Sequence, residues 1–145
     1  MRKYALIGCG GFAGAILRYL LDQIKQTDYH GNIPLNTLVI NLSGAFLMGF
    51  LLTAALEFWT ADADLRAGMT TGLLGAYTTF STMCKEASAL FLQGNPLPAL
   101  FYLAASVSLG LAAIHLGAVS ARLIRARYFP PENPGISGEE DPEVD

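Results

Sequence analysis

Four hydroxyl side chains, Thr78, Thr79, Ser81 and Thr82, crowd into five consecutive positions of a stretch, Ala67 to Cys84, that carries no charge. A single Ser or Thr in an apolar helix usually returns its hydroxyl to a carbonyl one turn back. Four together, at a β-branched point just after Gly72 and Gly75, predict an interrupted helix. Irregular backbone at membrane depth is tolerated only inside protein or along a watery cavity. Hydroxyl O–H and amide N–H groups are donors that can replace part of an anion's water shell. The ring edge of Phe80, inside the cluster, carries partial positive charge. Asn41 places an amide in the middle of another uncharged run, either as a bond between helices or as a further donor to a pore. Ser106 and Ser108 add hydroxyls, but two residues apart they cannot share one helical face. The chemistry these groups support is solvation of a small polar or anionic solute. Lys85 and Glu86 lie near the end of the hydroxyl segment and Arg18 toward the end of the first, so no fixed charge is placed centrally. His30 and His115 are isolated, and neither a catalytic constellation nor an ATP site is visible; the chain reads as a non-enzyme.

The elements that must position these groups are set by charge-free runs. Tyr4 to Leu21 is apolar apart from Arg18, and Gly31 to Leu56, Ala67 to Cys84 and Ala87 to Ala121 carry no charge. About 20 apolar residues cross a hydrocarbon core of roughly 30 Å. Gly94-Asn95-Pro96 breaks the longest stretch, because proline has no N–H and glycine ends helices readily. The expected spans are 4–25, 35–58, 66–92 and 97–123, forming one channel domain over 1–129. Residues 130–145, with Pro130, Pro131, Pro134 and six acids, are expected to be a disordered acidic tail. A soluble helical bundle would show polar faces at a 3.6-residue period. The run from 35 to 56 has only Asn36, Thr37, Asn41, Ser43 and Thr53 as polar residues, and none is ionisable. Gly10 with Gly14, Gly68 with Gly72, and Ser106 with Gly110 have the small-residue spacing that lets helices approach closely in lipid.

Charge excludes other classes. Without the tail, nine bases face six acids, so the acidic pI describes the tail alone. No Lys/Arg run or aromatic-basic interleaving suggests nucleic acid. Cys9 and Cys84 sit in apolar stretches and read as small packing residues. Leu6-Ile7-Gly8-Cys9 resembles a lipid-attachment box, but five residues between Lys3 and Cys9 are too few for a signal core. The glycines from Gly8 to Gly14 could open a dinucleotide-binding fold, yet the next apolar run is far too long for its second strand. With four spans, Arg2, Lys3, Arg66, Arg122, Arg125 and Arg127 share one side against Lys25, Lys85 and Arg18, which favours a cytoplasmic N-terminus.

Three motifs in order make the sequence resemble the Fluc/CrcB family of fluoride channels over roughly residues 4–125. They are Gly11-Phe12-Ala13-Gly14-Ala15 leading to Arg18-Tyr19, Pro34 to Leu38 leading to Asn41-Leu42-Ser43-Gly44, and Gly72 to Thr82 followed by Glu86. The resemblance implies an all-α integral membrane protein of the cell (inner) membrane, with four transmembrane helices, the third broken mid-membrane. It implies an antiparallel, dual-topology dimer with two fluoride pores, the partner being a second copy in opposite orientation or a related chain. Backbone carbonyls of Gly75 and Thr78 from both chains would bind a structural sodium ion (Na+). Phe80, Asn41, Ser81 and Thr82 match pore positions, Tyr102, Ser106 and Ser108 match them more loosely, and Arg18 matches a vestibule arginine. Met83 stands where many members repeat phenylalanine, and at i, i+3 it shares a helix face with Phe80. The implied function is passive fluoride export that lowers cytoplasmic fluoride. A small dual-topology multidrug-type exporter would need a carboxylate in its first span, which is absent. A membrane scaffold protein would explain the packing glycines but not the clustered donors.

Overall fold

The computed structural model describes residues 1–23 and 33–128; the last two residues of the first expected span, 24 and 25, and the acidic tail lie outside them. Among the described residues every regular element is helical. Three helices are long and apolar enough to cross a membrane: α1 (Arg2–Asp22), α2 (Leu35–Glu57) and α6 (Pro96–Tyr128). Between α2 and α6 the chain is divided into α3 (Ala63–Ala67), a π-helical stretch (Gly68–Leu74), α4 (Gly75–Tyr77) and α5 (Phe80–Leu92).

The boundaries have local causes. Asp62 caps α3 by accepting the Asp64 N–H at 3.3 Å, so this helical segment starts in charged residues ahead of the apolar run. α5 ends at Gly94, whose φ of 78° lets its N–H reach Phe91 O at 3.1 Å while the Asn95 N–H reaches Leu90 O at 3.0 Å. That pair of bonds satisfies the last carbonyls of α5 and turns the chain into Pro96. At 33 residues α6 is about 50 Å long, well beyond a hydrocarbon core, and it runs on through Arg122, Arg125 and Arg127 to Tyr128. Two of those arginines have a reason to stay helical. Arg122 Nε and Arg125 Nη1 lie 3.0 and 3.1 Å from the two carboxylate oxygens of Glu57 at the end of α2. Arg2 Nη1 meets Asp62 Oδ2 at 2.7 Å, tying the start of α1 to the start of α3.

The packing joins α1 to the π-helical stretch and α4, and α2 to α6. A Cβ on Gly10 would meet the Gly68 carbonyl, and one on Gly14 the Leu73 carbonyl, so these glycines set how close α1 lies. On the other seam Gly49 faces the Ile114 carbonyl and Gly117 the Phe46 carbonyl. A Cβ on Gly110 would meet nothing, so no neighbouring backbone requires glycine there. Two buried clusters sit between these pairs. One is Ile40, Leu74 and Tyr77, flanked by Leu21, Met48, Leu51 and Leu73. The other is Met83, Ala87 and Tyr102, flanked by Ile33, Leu38 and Leu103.

Candidate functional site

Between α4 and α5 the backbone leaves the helical region at two residues. Thr78 has φ −77° and ψ 155°, and Thr79 has φ −146° and ψ 114°. A turn of extended backbone in an apolar bundle exposes peptide groups that must find partners. α2 supplies them. Asn41 Oδ1 accepts the Thr79 N–H at 2.8 Å, and Asn41 Nδ2 donates to Thr79 O at 3.0 Å. Next along α2, Ser43 donates to Ile40 O at 3.0 Å; with its hydrogen so used, it accepts the Tyr77 hydroxyl at 2.7 Å.

Thr79 also starts α5. Its Oγ1 accepts the Thr82 N–H at 3.2 Å and donates to Thr82 Oγ1 at 2.9 Å, which caps the helix and orders the hydroxyl pair. Ser81 Oγ lies 3.4 Å from the same oxygen on the exposed side. Thr78 returns its hydroxyl to Leu74 O at 3.0 Å, the local bond available to any threonine in a helix. Thr79 and Thr82 form one wall of a cavity of about 270 Å³, closed by Ala15, Arg18, Tyr19 and Asp22 of α1 and by Thr37 and Ile40 of α2. Arg18 is therefore brought to the hydroxyl cluster from an element distant in sequence.

The remaining residues singled out above fall in different environments. Phe80 projects from the start of α5 with 75% of its surface exposed, whereas Met83 is 7% exposed and belongs to the cluster with Ala87 and Tyr102. A one-turn spacing puts the two on neighbouring stripes of α5, and the edge of the fold runs between them. Tyr102 is fully buried, Ser106 donates to Tyr102 O at 2.7 Å, and Ser108 lies exposed on α6. Gly75 is exposed at the head of α4.

One polar centre was given no role from sequence. Glu86 accepts the Thr37 hydroxyl on Oε1 at 2.7 Å and the Tyr102 hydroxyl on Oε2 at 2.8 Å, so a single carboxyl joins α2, α5 and α6. Its partners lie 49 and 16 residues away along the chain. Spacing carries no signal for such a contact; only the isolated acid after the hydroxyl cluster could have prompted a search. Among the described residues no buried side-chain nitrogen or oxygen is left without a partner. The site thus combines satisfied backbone, a few directed hydroxyls, an arginine beside a cavity and one exposed aromatic ring. That set can solvate and steer an anion; no group in it is poised for covalent chemistry.

Known proteins share this chain's sequence over most of its length. The family model described as CrcB-like protein, Camphor Resistance (CrcB), matches residues 5–118. A protein of Moorella thermoacetica named Fluoride-specific ion channel FluC 1 is 46% identical, over 83% of this chain and 86% of the relative. One of the same name from Brucella melitensis is 43% identical, over 81% of this chain and 97% of its own length. Fluoride-specific ion channel FluC of Thermosipho melanesiensis is 39% identical, over 83% and 96%.

Proposed function

Because the chain belongs to the CrcB family, we propose that it is a fluoride-specific ion channel of the cell membrane, passing fluoride down its electrochemical gradient. The single observation that carries this reading is the similarity to proteins named for that activity over more than four-fifths of the chain. Three apolar helices of membrane-spanning length give it a multi-pass setting.

In this reading residues from Ala63 to Leu92 form the remaining span, interrupted at Thr78 and Thr79, and the chain pairs antiparallel with a second copy. Pairing with a second copy is supported by the exposure of Gly75, Phe80 and Ser81 around the break, where a partner could cover them. Fluoride must lose water to enter, and donors must take the place of that water. Hydrogen bonds to a charged group are worth about 1.5–3 kcal/mol each, against roughly 1 for a neutral pair. A few hydroxyls therefore count. Ser81 and Thr82 offer O–H groups, Phe80 offers its ring edge, and Arg18 raises the local anion concentration at the cavity. Asn41, Tyr102 and Ser106 stand behind these groups, Ser108 lies further along α6, and Met83 packs the wall beneath Phe80.

A structural sodium ion held by the carbonyls of Gly75 and Thr78 fits the break. In an unbroken helix these carbonyls would accept the N–H groups of Thr79 and Thr82. Here the Thr79 N–H goes to Asn41 and the Thr82 N–H to Thr79 Oγ1, so both carbonyls are free of those donors. When bound, the cation supplies positive charge that offsets the cost of bringing anions into low dielectric. This chain's own part is to keep the two carbonyls unclaimed.

Passive export suffices for protection. Hydrogen fluoride crosses lipid unaided and dissociates in an alkaline interior, and the membrane potential drives the trapped ion out. The test is efflux from liposomes holding the purified protein and a fluoride load, read with a fluoride electrode under a potassium-valinomycin clamp. Rapid fluoride release with no matching chloride release is the expected result. Release no faster than from protein-free liposomes, or equal chloride release, overturns the reading.

A further inference from the structure

We propose that Asn41 holds the break between α4 and α5 open, as a positioning residue for Thr79 and Phe80. A side-chain amide offers the acceptor and donor of a peptide group and one further N–H. Asn41 turns the acceptor and one donor on a single residue: Oδ1 takes the Thr79 N–H at 2.8 Å and Nδ2 gives a hydrogen to Thr79 O at 3.0 Å. The amide edge therefore stands where a neighbouring strand would stand beside extended backbone. Its neighbours on α2 serve the same place. A Cβ on Gly44, three residues further along, would run into Thr78 Cγ2 and lie 3.2 Å from Tyr77 Cδ1, and Ser43 takes the Tyr77 hydroxyl.

Removing the amide leaves the Thr79 N–H, on a residue only 7% exposed, without its partner. An unpaired buried donor is costly. The nearest acceptor along the chain is the Gly75 carbonyl, one helical turn back. Taking it would continue α4 through Thr79 and swing Phe80, the next residue, about the new helix axis. It would also claim a carbonyl that the open break leaves free. The cap of α5, from the Thr82 N–H to Thr79 Oγ1, also favours a non-helical Thr79, but it gives the Thr79 N–H no partner. Asn41 is the group that makes the open form the better-satisfied one.

The conformational half of this inference stands alone, and its consequence for flux rests on the fluoride-channel reading. The test is the carbon-13 Cα and Cβ shifts of Thr78 and Thr79 in the full chain in lipid, with fluoride efflux measured on the same variants. Wild type should give extended-backbone shifts at both threonines. Asn41→Ala and Asn41→Ser, the latter keeping a hydroxyl too short to span both groups of Thr79, should move them toward helical values and lower efflux at least tenfold. Asn41→Asp retains an acceptor for the Thr79 N–H and should keep the extended shifts. Should Asn41→Ala fail to fold, the serine and aspartate variants decide. Extended shifts persisting in Asn41→Ser overturn the proposal, as do helical shifts with wild-type efflux. Wild-type protein that releases no fluoride defeats the channel reading, while the shifts still decide whether Asn41 holds the break.

Discussion

Along the middle of the seam between α2 and α6, two glycines meet two carbonyls, Gly49 against Ile114 and Gly117 against Phe46. At the break between α4 and α5, α2 instead presents Asn41, Ser43 and Gly44 to a backbone that has left the helix. The same helix thus does opposite things on two faces. In the seam every peptide group is satisfied within its own helix, so contact can be made by shape alone, with small residues bringing backbones together. At the break the peptide groups have no helical partners, and side chains must replace them.

That contrast can be broken most severely on the seam. Gly117→Val would drive side-chain atoms into the Phe46 carbonyl, a backbone atom that cannot rotate away. Overpacking of this kind costs on the order of 3 kcal/mol or more where nothing can yield. The expected outcome is loss of the monodisperse species on size-exclusion chromatography in detergent, with no need to touch a polar residue. Glu86→Ala comes next. It strands the Tyr102 hydroxyl, on a residue with no exposed surface, and frees Thr37 as well. An orphaned buried hydroxyl costs about 1–3 kcal/mol, and thermal unfolding in detergent should show that loss even if flux survives.

Phe80→Ala should separate the two regions cleanly. The ring is mostly exposed in the chain and contributes little to its packing. An aromatic contact is worth roughly 1 kcal/mol, so fluoride efflux should fall about fivefold while the unfolding temperature stays near that of wild type. A matching loss of stability would instead make Phe80 a packing residue. The smallest effect is expected at the end of the seam. Glu57→Gln removes both ion pairs with Arg122 and Arg125, but partly exposed pairs of this kind add little to stability. Neither unfolding temperature nor flux should change measurably.

Much of this division could be read from the chain before folding. Uncharged runs separated by Glu57, Arg66 and Lys85-Glu86 marked apolar helices, because a charge in hydrocarbon is expensive and its absence over 20 residues is informative. The glycine spacings of α1 and the π-helical stretch pointed to close packing, and in the fold those two sets face each other. Spacing could not say which glycines find a partner: Gly110 meets nothing. Charge-free runs also misplace helix ends, since Arg122 and Arg125 continue α6 by pairing with Glu57 and Asp62 starts α3 ahead of the apolar stretch.

Around the break, local chemistry directed attention to the hydroxyl cluster, but the division of labour within it was not legible. Thr79 has its backbone groups met by Asn41 of α2, 38 residues away along the chain. The contrast between buried Met83 and exposed Phe80 likewise depends on which stripe of α5 meets α6. Glu86 looked like a charge near the end of a span; its two hydroxyl partners exist only once three helices have met.

The most direct measurement is the reversal potential of protein-mediated current in a planar bilayer, with fluoride on one side and an equal concentration of chloride on the other. Selective passage of fluoride predicts a current that reverses only at a large potential, negative on the chloride side, where the field halts fluoride flow. A reversal near zero would mean that both halides pass alike, and the account of fluoride selectivity at this site would be contradicted.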